Sequence, residues 1–312
     1  MKKSLIALAV AGALTAPMVA QADATLYGSM RLLVVDADGS DLDVQDGTSR
    51  IGIKGDVDLG IDGVKGIYNF ETRLRADEGT FAGNDARLSN IGVTGDFGTA
   101  LIGRMYTPHW LWTSAVTDAT WNDAVIGVVN EIALRQPNTI AYISPSMSGF
   151  QAAVAVVANG GTNDDADIVN VAAKYAANGL HLGVSYMTVD DGITAGTESA
   201  DTIAVAASYT MDAFKVSARY QDEDDVGGTA GSERETTQLG VAYTMGDTTL
   251  QARYTNEDIK TQDVDQWAIG VQQMLGSQGR VFLEYADVGS NGFNGAVTSD
   301  VDRLSVGYRL DF

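Results

Sequence analysis

There is no cysteine among the 312 residues, which removes disulfide frameworks, thiol nucleophiles and thiolate metal sites. Histidine is nearly absent too. Neither His109 nor His181 is accompanied by anything resembling a nucleophile elbow, so no Ser–His–acid hydrolase and no catalytic residue is expected. Basic residues are scarce: 20 Lys and Arg stand against 41 Asp and Glu, a net charge of −21. A nucleic-acid partner, which needs a cationic excess, is excluded. Beyond the N-terminus the longest apolar run, Ala152–Ala158, has strand length, so no transmembrane helix is predicted. Only four prolines stand beside 35 glycines and many Thr, Val and Tyr, a balance that favours extended chain with tight turns. No glycine-rich loop opens onto a helix to cradle a phosphate, and no cofactor is expected.

What is present begins with a leader. Lys2 and Lys3 precede the apolar run Leu5–Leu14 and the small-residue site Ala20-Gln21-Ala22. Positive, apolar and cleavage regions in that order predict a signal peptide over 1–22, removed so that the mature chain starts at Asp23.

Period-two alternation follows at once. Leu26, Gly28, Met30, Leu32 and Val34 share one face; Tyr27, Ser29 and Arg31 share the other. Ile51, Ile53, Val57 and Leu59 alternate with Arg50, Lys54, Asp56 and Asp58. Val64, Tyr68, Phe70 and Leu74 oppose Asn69, Glu71, Arg73 and Arg75. The rhythm continues to Leu304/Val306/Tyr308/Leu310, where Arg303 and Arg309 face away. An apolar face and a charged face fit many antiparallel sheets, soluble sandwiches included.

The connections decide between them. Short turns such as Gly60–Gly63, Asn178–Gly179 and Asp212–Ala213 alternate with long acidic segments such as Asp36–Thr48, Asp190–Asp201 and Asp222–Glu235. That asymmetry predicts an up-and-down transmembrane barrel of about sixteen antiparallel strands. Tyrosines recur on the apolar face near strand ends, as interfacial girdles require. The acidic stretch from Asp36 to Asp43 lacks the Gly and Glu spacing of an EF-hand. It is taken as a solvated loop, with weak divalent bridging to anionic lipid heads as the lesser alternative; no metal ligand is assigned. Asp222-Glu223-Asp224-Asp225 is read in the same way.

One connection breaks the rhythm. From Arg104 to Arg135 roughly thirty residues pass with no clean alternation and no capped helix, a length that compact folds keep for function or disorder. Trp110, Trp112, Trp121 and the apolar run Ala124–Val129 argue against disorder. This segment is expected to fold inward.

The chain resembles the Gram-negative general porins of the trimeric sixteen-stranded type. The carriers are Thr25-Leu26-Tyr27-Gly28, Ser49-Arg50-Ile51-Gly52-Ile53-Lys54-Gly55, Gly95-Asp96-Phe97-Gly98-Thr99 with Gly103-Arg104 and Tyr106-Thr107-Pro108. Arg135, Asn138, Ile140, Tyr142, Ser144-Pro145 and the terminal Gly307-Tyr308-Arg309-Leu310-Asp311-Phe312 complete them. It departs from the family pattern in lacking an acidic-Gly signature in the long loop, and in Ala141 where relatives often carry Arg.

The resemblance implies an all-β barrel over 23–312 in the outer membrane, assembled as a homotrimer. Its third long loop, 105–134, would narrow the lumen, and small hydrophilic solutes would diffuse through. Expected partners are the lipid bilayer, lipopolysaccharide and the outer-membrane assembly machinery, the last through Phe312. Parity places Arg50, Lys54, Glu71, Arg73, Arg75 and Arg135 on the face away from lipid, where an Arg near the midplane would cost ~2–4 kcal/mol. Arg104 shares parity with Ile102, so a bulge at Gly103 is expected to turn it inward. Asp118, Asp123 and Glu131 would supply the opposing acids, and Glu71 would add to them, since facing rows of fixed charge sort ions. The tryptophans would pin the loop to the wall. A sugar-specific channel, with those indoles as a stacking surface, and an adhesive surface barrel are the rival readings.

Overall fold

The computed structural model describes residues 23–117, 134–160, 165–191, 199–226, 229–259, 263–289 and 301–312, without the side chains of 82–85. The predicted leader over 1–22, and Asp118, Trp121, Asp123 and Glu131, lie outside the described residues.

The strands are β1 (Asp23–Ala37), β2 (Asp43–Asp46), β3 (Arg50–Ile61), β4 (Val64–Arg75), β5 (Thr80–Gly95) and β6 (Gly98–Tyr106). Then come a one-turn helix, α1 (Pro108–Trp112), a 3-10 turn (Ser114–Val116), β7 (Arg135–Ile143), β8 (Phe150–Val157), β9 (Ile168–Ala177) and β10 (Leu180–Val189). The series ends with β11 (Ala200–Met211), β12 (Phe214–Asp224), β13 (Glu233–Met245), β14 (Thr248–Asp258), β15 (Asp263–Leu275), β16 (Gly279–Val288) and β17 (Val301–Asp311).

From β3 onward each strand pairs antiparallel with the next, and β17 returns to β1 from Ser29↔Asp311 to Ala37↔Arg303. β1 pairs β3 along its first half and β2 along its second. β2 and β3 are therefore one stave interrupted at residues 47–49, and the closed barrel has sixteen staves. Closure leaves no unpaired edge, which a lipid-embedded sheet requires.

The turns explain themselves locally. Asn178 and Gly179 both take positive φ (51° and 79°) between β9 and β10, as a two-residue hairpin demands. On the outer face Leu26, Ile91, Ile140, Val205, Leu239, Ile269 and Val306 are all exposed, forming the apolar band that meets lipid. Aromatic pairs sit at both ends of the wall. Phe150–Tyr175 and Phe214–Tyr243 stand beside short turns, with centroids 4.7 and 4.3 Å apart. Trp267–Tyr285 stands at the opposite end, where Trp267 Nε1 donates to Asp287 at 3.1 Å.

Two acidic stretches differ from expectation. The 36–46 segment contains β2, whose Val44 pairs with Val34; the acids around it mask a two-residue alternation too short to read. The Asp222–Glu235 segment is mostly strand, and Glu223 is 1% exposed, in ladder register with Arg234. Its acid is neutralised by a cation across the ladder, which linear charge density does not reveal.

Candidate functional site

Residues facing the lumen fall into two groups. The first lines β1 and β3–β7. Arg50 and Arg73 stand directly opposite each other in the β3–β4 ladder, an arrangement of like charges that needs acids nearby. Glu71 supplies one: its Oε1 lies 2.6 Å from Arg87 Nε and 4.0 Å from Arg50 Nη1. Asp46 supplies another, 3.5 Å from Arg73 Nε, while its carboxylate also accepts from the backbone of Thr48 and Ser49. Lys54 Nζ lies 4.9 Å from the Tyr27 ring centre, and Tyr27 donates to Asn69 Oδ1 at 3.0 Å.

Tyr106 closes the group. Its hydroxyl accepts from Arg87 Nη2 (3.3 Å) and Arg135 Nη1 (3.4 Å), and Arg135 lies 5.3 Å over its ring, a cation–π contact. Gly103 has φ 123°, and the β6–β7 register shifts between Gly103 and Met105. Past that irregularity Arg104 has a buried Nε and is a cationic neighbour of Arg135. Arg75 stands apart: half exposed, it meets Glu78 at 3.4 Å beside the β4–β5 turn. Phe312 exchanges backbone hydrogen bonds with Gly28 at the β1–β17 seam, and its ring fills the space a Cβ at Gly28 would need.

The second group lies across β11–β16. Glu223 Oε2 meets Arg234 Nε at 2.6 Å with both side chains buried. Arg219 Nη1 donates to Gln238 Oε1 at 3.1 Å with Arg253 and Glu257 buried nearby, and Glu284 is buried farther along the same face. Ala204, Ala206 and Ala268, all buried between the long side chains, leave them room.

The chain between β6 and β7 turns inward over this second group. Thr107 caps α1, accepting from Trp110 N at 3.0 Å, and Pro108 occupies the first turn, both favourable helix starts. His109 is fully buried: its N–H donates to Asn170 Oδ1 (2.9 Å) and its Nε2 donates to Gln221 Oε1 (3.1 Å). Burial, with the Arg219 charge beside it, holds the imidazole down to about 4. His181 Nε2 donates to Trp112 O at 3.0 Å, and a Cβ on Gly183 would collide with that carbonyl. Trp112 packs on Ala153 and Ala172 with Lys174 Nζ 5.2 Å from its ring. Thr117 donates to Gln238 at 2.8 Å, and Lys215 reaches Val116 O at 3.4 Å. Both histidines of the chain thus hold this segment to the wall.

Sequence reasoning missed Arg87, Asp46, Tyr106 and the Glu223–Arg234 pair. Arg87 lies where the β4–β5 register shifts between Glu71 and Leu74, so parity carries no information there. The alternation along β12, β14 and β16 sets Arg219, Arg253 and Glu284 opposite the apolar face, but linear spacing does not show which side chains meet.

The Gram-negative porin family model matches residues 7–293. The chain belongs to the Gram-negative porin family. Major outer membrane protein P.IB of Neisseria meningitidis serogroup B is 33% identical over 206 residues, covering 60% of this chain and 55% of that protein. The chain thus spans about half the length of the curated relatives it matches. The anion-selective porin from Comamonas acidovorans superposes with a TM-score of 0.77 at 19% identity, covering 93% of this chain and 100% of that one. The trimer form of the Vibrio cholerae outer membrane protein OmpT gives 0.71 at 16%, covering 93% and 99%. The fold is that of a porin, and this porin resides in the outer membrane.

Proposed function

We propose that this porin forms a water-filled channel for passive diffusion of ions and small hydrophilic solutes, with residues 105–134 as the constriction loop and anions favoured there. The cationic wall carries this reading. Arg50, Lys54, Arg73, Arg87, Arg104 and Arg135 share one side of the lumen, where Glu71 and Asp46 contact three of them. Arg keeps its charge at any physiological pH, and loop charges beyond about 8 Å are screened in physiological salt, so the wall field outweighs the acidic exterior. Asp118, Asp123 and Glu131 would oppose it from the loop. An anion-selective porin of the same fold supports the sign.

The active assembly would be a homotrimer, as the trimeric OmpT form suggests, in contact with lipid and lipopolysaccharide and inserted by machinery that reads Phe312. No catalytic role is assigned. Trp112, covered by the wall and by Lys174, serves as an anchor, which favours the general channel over sugar stacking.

Planar-bilayer recording in a salt gradient tests the proposal. Large ohmic steps with an anion-directed reversal potential are expected. Arg50→Ala should move that potential toward cations and Asp123→Ala toward anions. If neither substitution shifts it, the constriction is misassigned.

A further inference from the structure

A cavity of about 170 Å³ lies between α1 and the inner wall of β4–β8. Leu88, Leu101, Met105, Ala141 and Ala153 form its floor, and Pro108, Leu111 and Trp112 of α1 roof it. An apolar chamber is unexpected in a lumen otherwise lined with charge. Its size suits one aromatic ring, since an engineered apolar cavity of about 150 Å³ stays dry and takes up benzene.

The rim has a different chemistry. Tyr106 lines the cavity, and its hydroxyl receives Arg87 and Arg135; Arg104 is a third cation beside Arg135. Asn69 also lines it. The Asn69 Oδ1 is taken by Tyr27, whereas its Nδ2 makes no hydrogen bond among the described residues. An apolar chamber edged by the Tyr106 hydroxyl and an amide donor, with the Arg87 and Arg135 guanidinium groups behind that hydroxyl, matches a molecule with a flat apolar ring and a carboxylate. The Tyr106 hydroxyl, polarised by the two arginines it accepts from, and the Asn69 amide can donate to a carboxylate in charge-assisted hydrogen bonds, and the ring leaves water for the floor.

We propose that this cavity is a binding site for single-ring aromatic carboxylates of the benzoate class. The ligand lodges beside the constriction with its ring under α1 and its carboxylate toward the Tyr106 arginines. The proposal rests on the channel reading only for the ligand's route of entry, so its test reads equilibrium binding rather than current.

4-Fluorobenzoate is titrated into the folded, detergent-solubilised protein and followed by fluorine NMR line width, with protein-free micelles as the blank. Saturable broadening is expected, displaced by benzoate but not by acetate. Ala141→Phe, which fills the chamber, should abolish it in barrels that retain a heat-modifiable gel shift. Tyr106→Phe should weaken it severalfold, and Ala153→Phe serves if the first variant does not fold. Broadening no greater than the micelle blank, or unchanged in the filled variants, overturns the proposal. A barrel that binds 4-fluorobenzoate but shows no conductance would defeat the channel reading alone; a conducting barrel without saturable binding would defeat this one alone.

Discussion

The two sides of the lumen use the same residue types to opposite ends. On β11–β16 three arginines and three glutamates share one face, every one of them nearly inaccessible, and α1 with its 3-10 turn closes over part of that face. On β3–β7 arginines outnumber acids, and Arg50 and Arg73 keep a quarter or so of their side chains open to the pore (16% and 32%). A balanced, desolvated network stabilises a structure through mutual satisfaction and contributes little field. An unbalanced, wetted one contributes field and little stability. The porin thus places a balanced, buried charge network and an unbalanced, wetted one on opposite walls.

The largest effect on stability should come from breaking the balanced side. Glu223→Ala leaves Arg234 buried without its 2.6 Å partner, and losing half of a buried pair costs about 3–5 kcal/mol; urea unfolding followed by gel shift measures it.

Acid should act on the same side through His109. Its ordinary value is 6.5 and its folded value about 4, so between those pH values the unfolded chain binds the proton and the folded chain does not. Stability is therefore present in full above pH 6.5 and is lost as pH falls toward 4, by about 3 kcal/mol at ~1.4 kcal/mol per pH unit. His109→Gln should remove this component, visible as a shallower fall in unfolding midpoint with pH. An identical fall in both proteins would show that His109 does not titrate between those pH values.

Gly183→Val drives a side chain into Trp112 O. Overpacking of this kind costs about 1–3 kcal/mol. Because the collision lifts α1, single-channel conductance should change together with stability.

On the cationic side Arg50→Ala should change stability by no more than about 1 kcal/mol, since it also relieves repulsion from Arg73 across the ladder, yet it should shift the reversal potential. Arg75→Ala, outside both groups, should alter neither quantity. A selectivity shift in Arg75→Ala equal to that of Arg50→Ala would erase the distinction between wall and rim.

Much of this was legible in the chain. Alternation at Leu26–Val34 or Leu304–Leu310 needs only that one face meet lipid and the other water, and turn asymmetry followed from Gly and Asn positions. Parity fails where the backbone departs from a regular ladder. The Arg87 segment and the Gly103 bulge are such places, and both lie in the site. Loops fail for a second reason. Nothing in Pro108–Trp112 announces that its histidine will meet Gln221, because that contact depends on where the barrel closes rather than on local spacing. The acid of Glu223 looked solvated because its cation, Arg234, is adjacent only across strands.

Closure itself has a kinetic consequence. Gly28 binds Phe312 at the seam, and Met30 pairs with Leu310, so the hydrogen bonds that remove the last open edge join the first stave to the last. Contacts of such sequence separation form late and slowly. Until they form, two unsatisfied edges remain, and an aggregation route remains with them. Gly28→Val, which displaces the Phe312 ring, should therefore slow the appearance of the folded gel band more than it lowers the final yield.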